Sequence, residues 1–206
     1  MRDLTIDVSR ETEERLNILC EMVERWNPSI NLIAPSSLPQ LWQRHIRDSA
    51  QVVALIPSGA RLWVDIGSGG GFPGLVVAAC LPDMLPTCRV VLIESDQRKC
   101  VFLRQAARSM GLSITVVAKR IEEAPPQAAD VVSARALAPL PRLLPLTQRH
   151  LAPHGIAILL KGQSLADELE IAGQNGWKFQ ADHHKSKTDP DGTIIVMRNL
   201  KLEQLS

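Results

Sequence analysis

The sequence predicts an α/β protein with a doubly wound, mostly parallel sheet and a helical extension at its N-terminus. Three observations carry this reading. From Arg61 onward, short β-branched runs alternate with helical patterns; a glycine-rich loop follows the first run and opens a helix; and the last two runs lie too close together for a helical crossover.

The elements follow in order. From Ser9 the apolar residues Leu16, Leu19, Cys20, Val23 and Trp26 recur at helical spacing, with Glu11, Glu13, Glu14 and Glu24 on other faces. Asn27-Pro28 is expected to end this helix, because the residue before proline is pushed out of the helical region. Ser37-Leu38-Pro39-Gln40 has the spacing of a capping box, and Leu41, Trp42, His45, Ile46, Ser49 and Val53 behind it make one stripe of a second helix. Pro57-Ser58-Gly59 closes this part, so residues 1–58 are assigned to the helical extension and 59–206 to the α/β domain. Five strands are predicted at Leu62–Ile66, Val90–Ile93, Ile114–Val117, Val131–Ser133 and Ile156–Leu160, with helices at 73–81, 96–110, 139–151 and 164–173. Trp177–Ala181 and Thr193–Arg198, separated only by a polar loop containing Asp189-Pro190-Asp191-Gly192, should form an antiparallel hairpin at one end of the sheet. Five alternating strands followed by a terminal hairpin match the Rossmann-like seven-stranded sheet of S-adenosylmethionine (SAM)-dependent methyltransferases better than a dehydrogenase domain.

Composition narrows the function classes. With 206 residues, 45% of them hydrophobic and 22% charged, the chain has enough apolar material for one sizeable core and no compositional bias toward disorder. The longest apolar run, Leu75 to Leu81, falls far short of the ~20 residues that span a bilayer, so no membrane association is expected. The acidic first residues, Met1 to Asp7, lack the apolar stretch of a secretory signal, which points to the cytoplasm. Cys20, Cys80, Cys88 and Cys100 have no metal-ligand spacing and read as reduced, mostly buried thiols; no metal is expected. A net charge of +1 neither announces nor excludes a nucleic-acid partner. Aromatic residues are only 3% and tyrosine is absent, so an aromatic base-stacking sheet of the RNA-recognition type is not expected and phosphate contacts would fall to arginines.

The strongest chemical signal is Val64-Asp65-Ile66-Gly67-Ser68-Gly69-Gly70-Gly71-Phe72-Pro73-Gly74, placed directly after the first strand. Glycines let the main chain approach a ligand, and the following helix aims its free amides at it. A dinucleotide fingerprint would need glycine where Phe72 stands, and Asp65 would repel a pyrophosphate but suit the ammonium and sulfonium end of SAM. Glu94, at the carboxyl end of the second strand, can accept both ribose hydroxyls, and Ile121 and Glu122 after the third strand fill the stacking and edge-reading positions of an adenine site. After the fourth strand, Ser133-Ala134-Arg135 carries neither an Asn/Asp-Pro-Pro-aromatic motif for an exocyclic amine nor a cysteine nucleophile for pyrimidine carbon. Arg135 reads there as an isolated cation that needs a carboxylate, phosphate or carbonyl partner, and Lys161 at the end of the fifth strand adds a second. His45 falls on the apolar stripe of the second helix, beside Arg44, Arg47 and Asp48, and reads as a satisfied core residue.

Taken in order, Trp26-Asn27, Asn31-Leu32, Arg44-His45-Ile46, Asp48-Ser49, Asp65 to Gly74, Phe102-Leu103-Arg104, Ser133 to Arg135 and Leu160-Lys161-Gly162 resemble the bacterial small-subunit rRNA guanine-N7 methyltransferase G family, also called glucose-inhibited division protein B. Arg47 and Ile33 depart from it, standing where that family usually has Leu and Thr. The resemblance implies SAM as cofactor, contacted by Gly67, Gly69, Phe72, Ile121, Glu122 and Arg135 with Asp65 and Glu94 assisting. It implies a monomer acting on a guanine in the 530 loop of 16S rRNA, either free or in the small ribosomal subunit particle. Guanine N7 has a lone pair and no proton to lose, so alignment with the methyl group would suffice, with Arg135 and Lys161 as catalytic cations that hold O6 or a neighbouring phosphate and leave N7 free. The alternatives are a SAM-dependent methyltransferase acting on a small molecule or a protein, a nicotinamide-dependent dehydrogenase, and a non-catalytic RNA-binding module.

Overall fold

The computed structural model describes residues 6–203, so the expectation about the first seven residues and the outer limits of the two assigned parts lie partly outside the described residues. Helix α1 (Arg10–Ile30) starts at Ser9, whose hydroxyl caps the Thr12 N–H at 3.1 Å. It runs past Pro28 instead of stopping before it, which corrects the expected end. The left-handed residue Asn31 donates its N–H to the Asn27 carbonyl at 3.0 Å, and the Asn27 side chain accepts the Ile33 N–H at 2.9 Å. These bonds close the helix one turn later than proline alone suggests.

The second predicted helix is a sequence of tight and wide turns: a 3₁₀ turn at Pro35–Gln40, a π turn at Trp42–Arg47, a single α turn at Asp48–Ala50 and a 3₁₀ turn at Gln51–Leu55. Ser37 does not act as a capping residue; its hydroxyl donates back to the Ala34 carbonyl at 2.7 Å. The wide turn advances the chain by an extra residue and sets His45 and Asp48 on the side that meets the sheet.

Beyond this run the alternation reads as expected: β1 (Leu62–Ile66), α2 (Gly74–Met84), β2 (Arg89–Glu94), α3 (Gln97–Ser109), β3 (Thr115–Ala118), β4 (Ala129–Arg135), α4 (Leu140–His150), β5 (Leu151–Lys161), α5 (Leu165–Gln174), β6 (Trp177–Lys185) and β7 (Thr193–Leu202). The seven strands lie in the order β3-β2-β1-β4-β5-β7-β6, parallel from β3 to β5 and antiparallel where β7 pairs with β5 and β6. Strand order reverses between β1 and β4, where open α/β sheets bind ligands at their carboxyl edge. β6 reaches past its predicted end at Ala181 through His183, His184 and Lys185, which are exposed and pair with β7 through the backbone, a feature with no apolar alternation to reveal it. β7 reaches past Arg198 to Leu202, which pairs with Trp177.

Side-chain alternation sorts the sheet into two cores. Trp63 and Val131 face α1 and α2, together with Leu16, Leu19, Ile46 and Phe102 of the surrounding helices. Val64, Ile66 and Val132 face α4 and α5. Arg135 shares the parity of Val131 and Ser133, so it points toward the N-terminal helices. The extension and the sheet therefore share one core, reinforced by the Trp26–Phe102 edge contact at 5.8 Å and by Thr12 donating to the Ala79 carbonyl at 3.0 Å. All four cysteines are buried and free, and among the described residues no helix is long and apolar enough to cross a membrane.

Candidate active site

At the carboxyl ends of β1, β2, β3 and β4 lies a cavity of about 780 Å³. The structure brings Gly67, Gly69, Phe72, Glu94, Ile121, Glu122 and Arg135 to its walls, as the sequence leads one to expect. The loop after β1 reaches it because Gly69 is left-handed, with φ 54°, and a Cβ there would meet within 4 Å only the Gly67 carbonyl oxygen at 3.8 Å. The floor beside Gly69 is open space. Each Glu94 carboxylate oxygen already holds one backbone amide at 2.8 Å, from Gly69 and from Asp96, and each retains a further lone pair. Asp96 caps α3 through Arg98 and Lys99, so Glu94 is left to the cavity. Across it, His150 donates to the Ile121 carbonyl at 2.9 Å and Arg149 to the Ala124 carbonyl at 3.0 Å, which pins the loop carrying Ile121 and Glu122 to the end of α4.

Asp65 is placed differently from the expectation. It is 1% exposed and lies beneath the loop, outside the cavity wall. One carboxylate oxygen accepts the Ser133 hydroxyl at 2.6 Å, that hydroxyl accepts the Trp63 indole N–H at 2.8 Å, and the other oxygen accepts the Gly74 N–H at 3.3 Å. Gly74 must lack a side chain, since a Cβ would fall 2.7 Å from that oxygen and onto Leu92 as well. Asp65 thus ties the helix start to β4. Burial, aided by the Glu94 charge, raises its pKa to about 7 against the bonds that favour its charged form. A carboxyl protonated more readily in the folded state than in the unfolded one, at 3.8, makes stability fall as pH rises from about 4 through about 7. Thermal melts across that window should show up to ~1.4 kcal/mol lost per pH unit from this group, and Asp65→Asn should flatten the slope. An unchanged slope in the variant would assign the pH dependence elsewhere.

Arg135 is not isolated. Its Nη2 donates to the Arg44 carbonyl at 2.6 Å and pairs with Asp48 at 3.3 Å, while Nη1 donates to His45 Nδ1 at 3.2 Å. A guanidinium can only donate, so Nδ1 is the acceptor and Nε2–H donates to the Ser37 hydroxyl at 3.1 Å. Burial first, then the charges of Arg135 and Arg44, push the His45 pKa down to about 3, and the ring packs on Phe72 with centroids 5.0 Å apart. Asp48 in turn accepts from Gln51, Ser186 and Thr188 at 3.1, 2.9 and 2.8 Å. One network therefore joins the N-terminal helices, the end of β4 and the loop between β6 and β7.

Lys161 departs from the role of a free cation at the site. Its Nζ donates to the Ala138 carbonyl at 3.0 Å and pairs with Glu168 at 2.6 Å, with 9% of its side chain exposed. It lies in the wall of a second, smaller cavity and not in the large one. Sequence reasoning missed Leu32, Ile33, Ala34, Ser36, Ser37, Arg44 and Leu137 as lining residues of the large cavity. Asn31-Leu32 stood out only as a piece of a family resemblance, and Arg44 only as a neighbour of His45 on the expected helix.

Known proteins resemble this chain at two levels. The sequence model of the family described as rRNA small subunit methyltransferase G matches residues 12–191. The ribosomal RNA small subunit methyltransferase G of Cereibacter sphaeroides is 49% identical over 195 residues, covering 95% of this chain and 94% of the relative. Its counterpart in Rhodospirillum centenum is 50% identical over 193 residues, covering 94% and 87%. Among solved structures, an O-methyltransferase from Bacillus cereus in complex with SAH superposes with a TM-score of 0.59 at 15% identity, covering 96% of this chain and 94% of that one. A TehB-like SAM-dependent methyltransferase from Corynebacterium glutamicum does so with a TM-score of 0.55 at 18% identity, covering 73% and 86%. The structural likenesses establish the shared seven-stranded α/β fold.

Proposed function

Because the chain belongs to the rRNA small subunit methyltransferase G family, we propose that it transfers the methyl group of SAM to N7 of a guanine in the 530 loop of 16S rRNA, acting as a cytoplasmic monomer. The observation that carries the reading is the convergence of the glycine loop, Glu94 and Ile121 on one cavity of about 780 Å³ at the switch point of the sheet. Its residues fit SAM. Open space beside Gly69 admits the amino-acid end against backbone, Glu94 retains acceptor capacity for two ribose hydroxyls, and Ile121 offers an apolar face for adenine with Glu122 at its edge. SAM supplies an electrophilic methyl on a sulfonium.

The chain's own residues position the reactants. Asp65 holds the loop from below, and Phe72 with His45 walls the cavity on the side of the N-terminal helices. His45 has both ring nitrogens engaged and its pKa held far below neutrality, so it is a fixed neutral strut and not a proton shuttle. Methylation at N7 needs no proton removed, so the reading asks no proton transfer of His45.

Labelled methyl transfer to small-subunit particles, free 16S rRNA and total protein, followed by mapping of the modified base, tests the reading. Label in rRNA guanine is expected, and the comparison also reports whether free RNA or the particle is the better substrate. Label confined to protein or to a small metabolite would refute it. Calorimetry should show SAM binding weakened ~10-fold or more in Glu94→Ala, as a charge-assisted acceptor is lost. Binding of NADH without any response to SAM would instead establish the dehydrogenase alternative.

A further inference from the structure

We infer that the smaller cavity, of about 210 Å³ between the ends of β4 and β5 and the β6–β7 loop, is the pocket for the target guanine, with the Asp189 carboxylate reading its Watson–Crick edge. This rests on the proposed methyl transfer to guanine. The two cavities meet at Arg135 and Ala136, which line both. A base seated in the smaller one is thus a neighbour of a methyl group held in the larger. Its volume lies below the ~300–1,000 Å³ of ordinary ligand pockets, which suits one extruded base. Ala136, on the shared wall, has φ 49°, a conformation that a residue with a Cβ rarely adopts and that recurs where backbone is shaped around a ligand.

Three carboxylates line the smaller cavity, and two are already committed. Asp48 takes Arg135 and three side-chain donors, and Glu168 takes Lys161, the Ser164 hydroxyl and the Leu140 N–H. Asp189 accepts, among the described residues, the Asp191 N–H alone, at 3.1 Å, and is half-buried. Its backbone is held in place: the Asp189 N–H donates to the Ser186 hydroxyl at 3.1 Å, Ser186 donates to Asp48 at 2.9 Å, and the Gly192 N–H donates to the Asp189 carbonyl at 3.0 Å. Asp48 thereby sets Arg135 and the Asp189 loop together.

Guanine presents two donors, N1–H and the exocyclic N2 amine, on its Watson–Crick edge. A carboxylate can accept both. Adenine presents an N1 lone pair at that position and would be repelled, so this contact selects guanine. With its N1–N2 edge at Asp189, the base turns N7 away from the acid.

The test compares small-subunit particles carrying guanosine or inosine at the target, with the wild-type chain, Asp189→Ala and Asp189→Asn. Inosine keeps N7 and N1–H but lacks the amine. Wild type should methylate the inosine particle ~10- to 100-fold less efficiently, the worth of a hydrogen bond to a charged group. Both variants should turn over guanosine poorly, bring the guanosine-to-inosine ratio near one, and bind SAM within about twofold of wild type. A variant with wild-type turnover, an unaltered ratio in either variant, or SAM binding lost in both would overturn the assignment. If the wild-type chain labels guanosine while Asp189→Ala is indifferent, the pocket fails alone; if it labels neither particle, the guanine-methylation reading fails and takes the pocket with it.

Discussion

Replacement of Arg135 by Ala is expected to lower methyl transfer ~10²-fold or more, the scale on which misplaced reacting groups lose rate. The side chain sits where the two cavities meet, and its two terminal nitrogens are aimed by three groups of the N-terminal helices: the Arg44 carbonyl, His45 Nδ1 and Asp48. Its loss should also be felt in stability. An exposed arginine would cost ~0.5 kcal/mol, but here removal leaves Asp48, itself 8% exposed, without its cation and unties His45, so ~1–3 kcal/mol is the expected scale. Arg135→Lys separates charge from shape. One ammonium cannot reach the Arg44 carbonyl and His45 as a planar fork does, so Lys should restore little of the turnover. Measuring kcat and KM for SAM beside the melting temperature keeps the two effects apart. Wild-type turnover in both variants would make Arg135 a purely structural tie between β4 and the helices.

Glu168→Ala is expected to be the most destabilising of these changes, by ~3–5 kcal/mol, because it strands a buried charge. The Lys161 side chain is 9% exposed and would keep only the Ala138 carbonyl, while the Leu140 N–H at the start of α4 and the Ser164 hydroxyl would lose their acceptor. At ~2–4 °C per kcal/mol for a chain of this size, the melting temperature should fall by roughly 10 °C. Burial acts to raise the Glu168 pKa, but the bonds from Lys161, Ser164 and Leu140 outweigh it and leave the group below its usual value. Its contribution is therefore present at neutral pH and lost as pH falls below the ordinary carboxylate range. A second variant, Glu168→Leu with Lys161→Met, removes both charges and should recover much of the loss, since a buried pair often has an apolar replacement of similar stability. A melting temperature in Glu168→Ala within 2 °C of wild type would show that solvent already compensates Lys161.

Much of this protein is local grammar and so was legible in the sequence. β-Branched runs alternating with helical periodicity lead to the parallel sheet, the short separation of the last two runs leads to the antiparallel hairpin, and Gly67, Gly69, Glu94 and Ile121 reach one cavity because each stands at or shortly after the carboxyl end of a strand. What tertiary structure alone decided is which polar groups find partners. Arg135 and Lys161 look alike in sequence, each a cation at a strand end. In the fold one is held between two cavities by His45 and Asp48, and the other is neutralised by Glu168. The wide turn at Trp42–Arg47 is likewise set by packing, which puts His45 and Asp48 against the sheet at the expense of regular helix. Periodicity records the burial of apolar faces, which neighbouring residues share. The pairing of a buried charge depends on a partner distant in the chain, and only the closed fold brings the two within hydrogen-bonding distance.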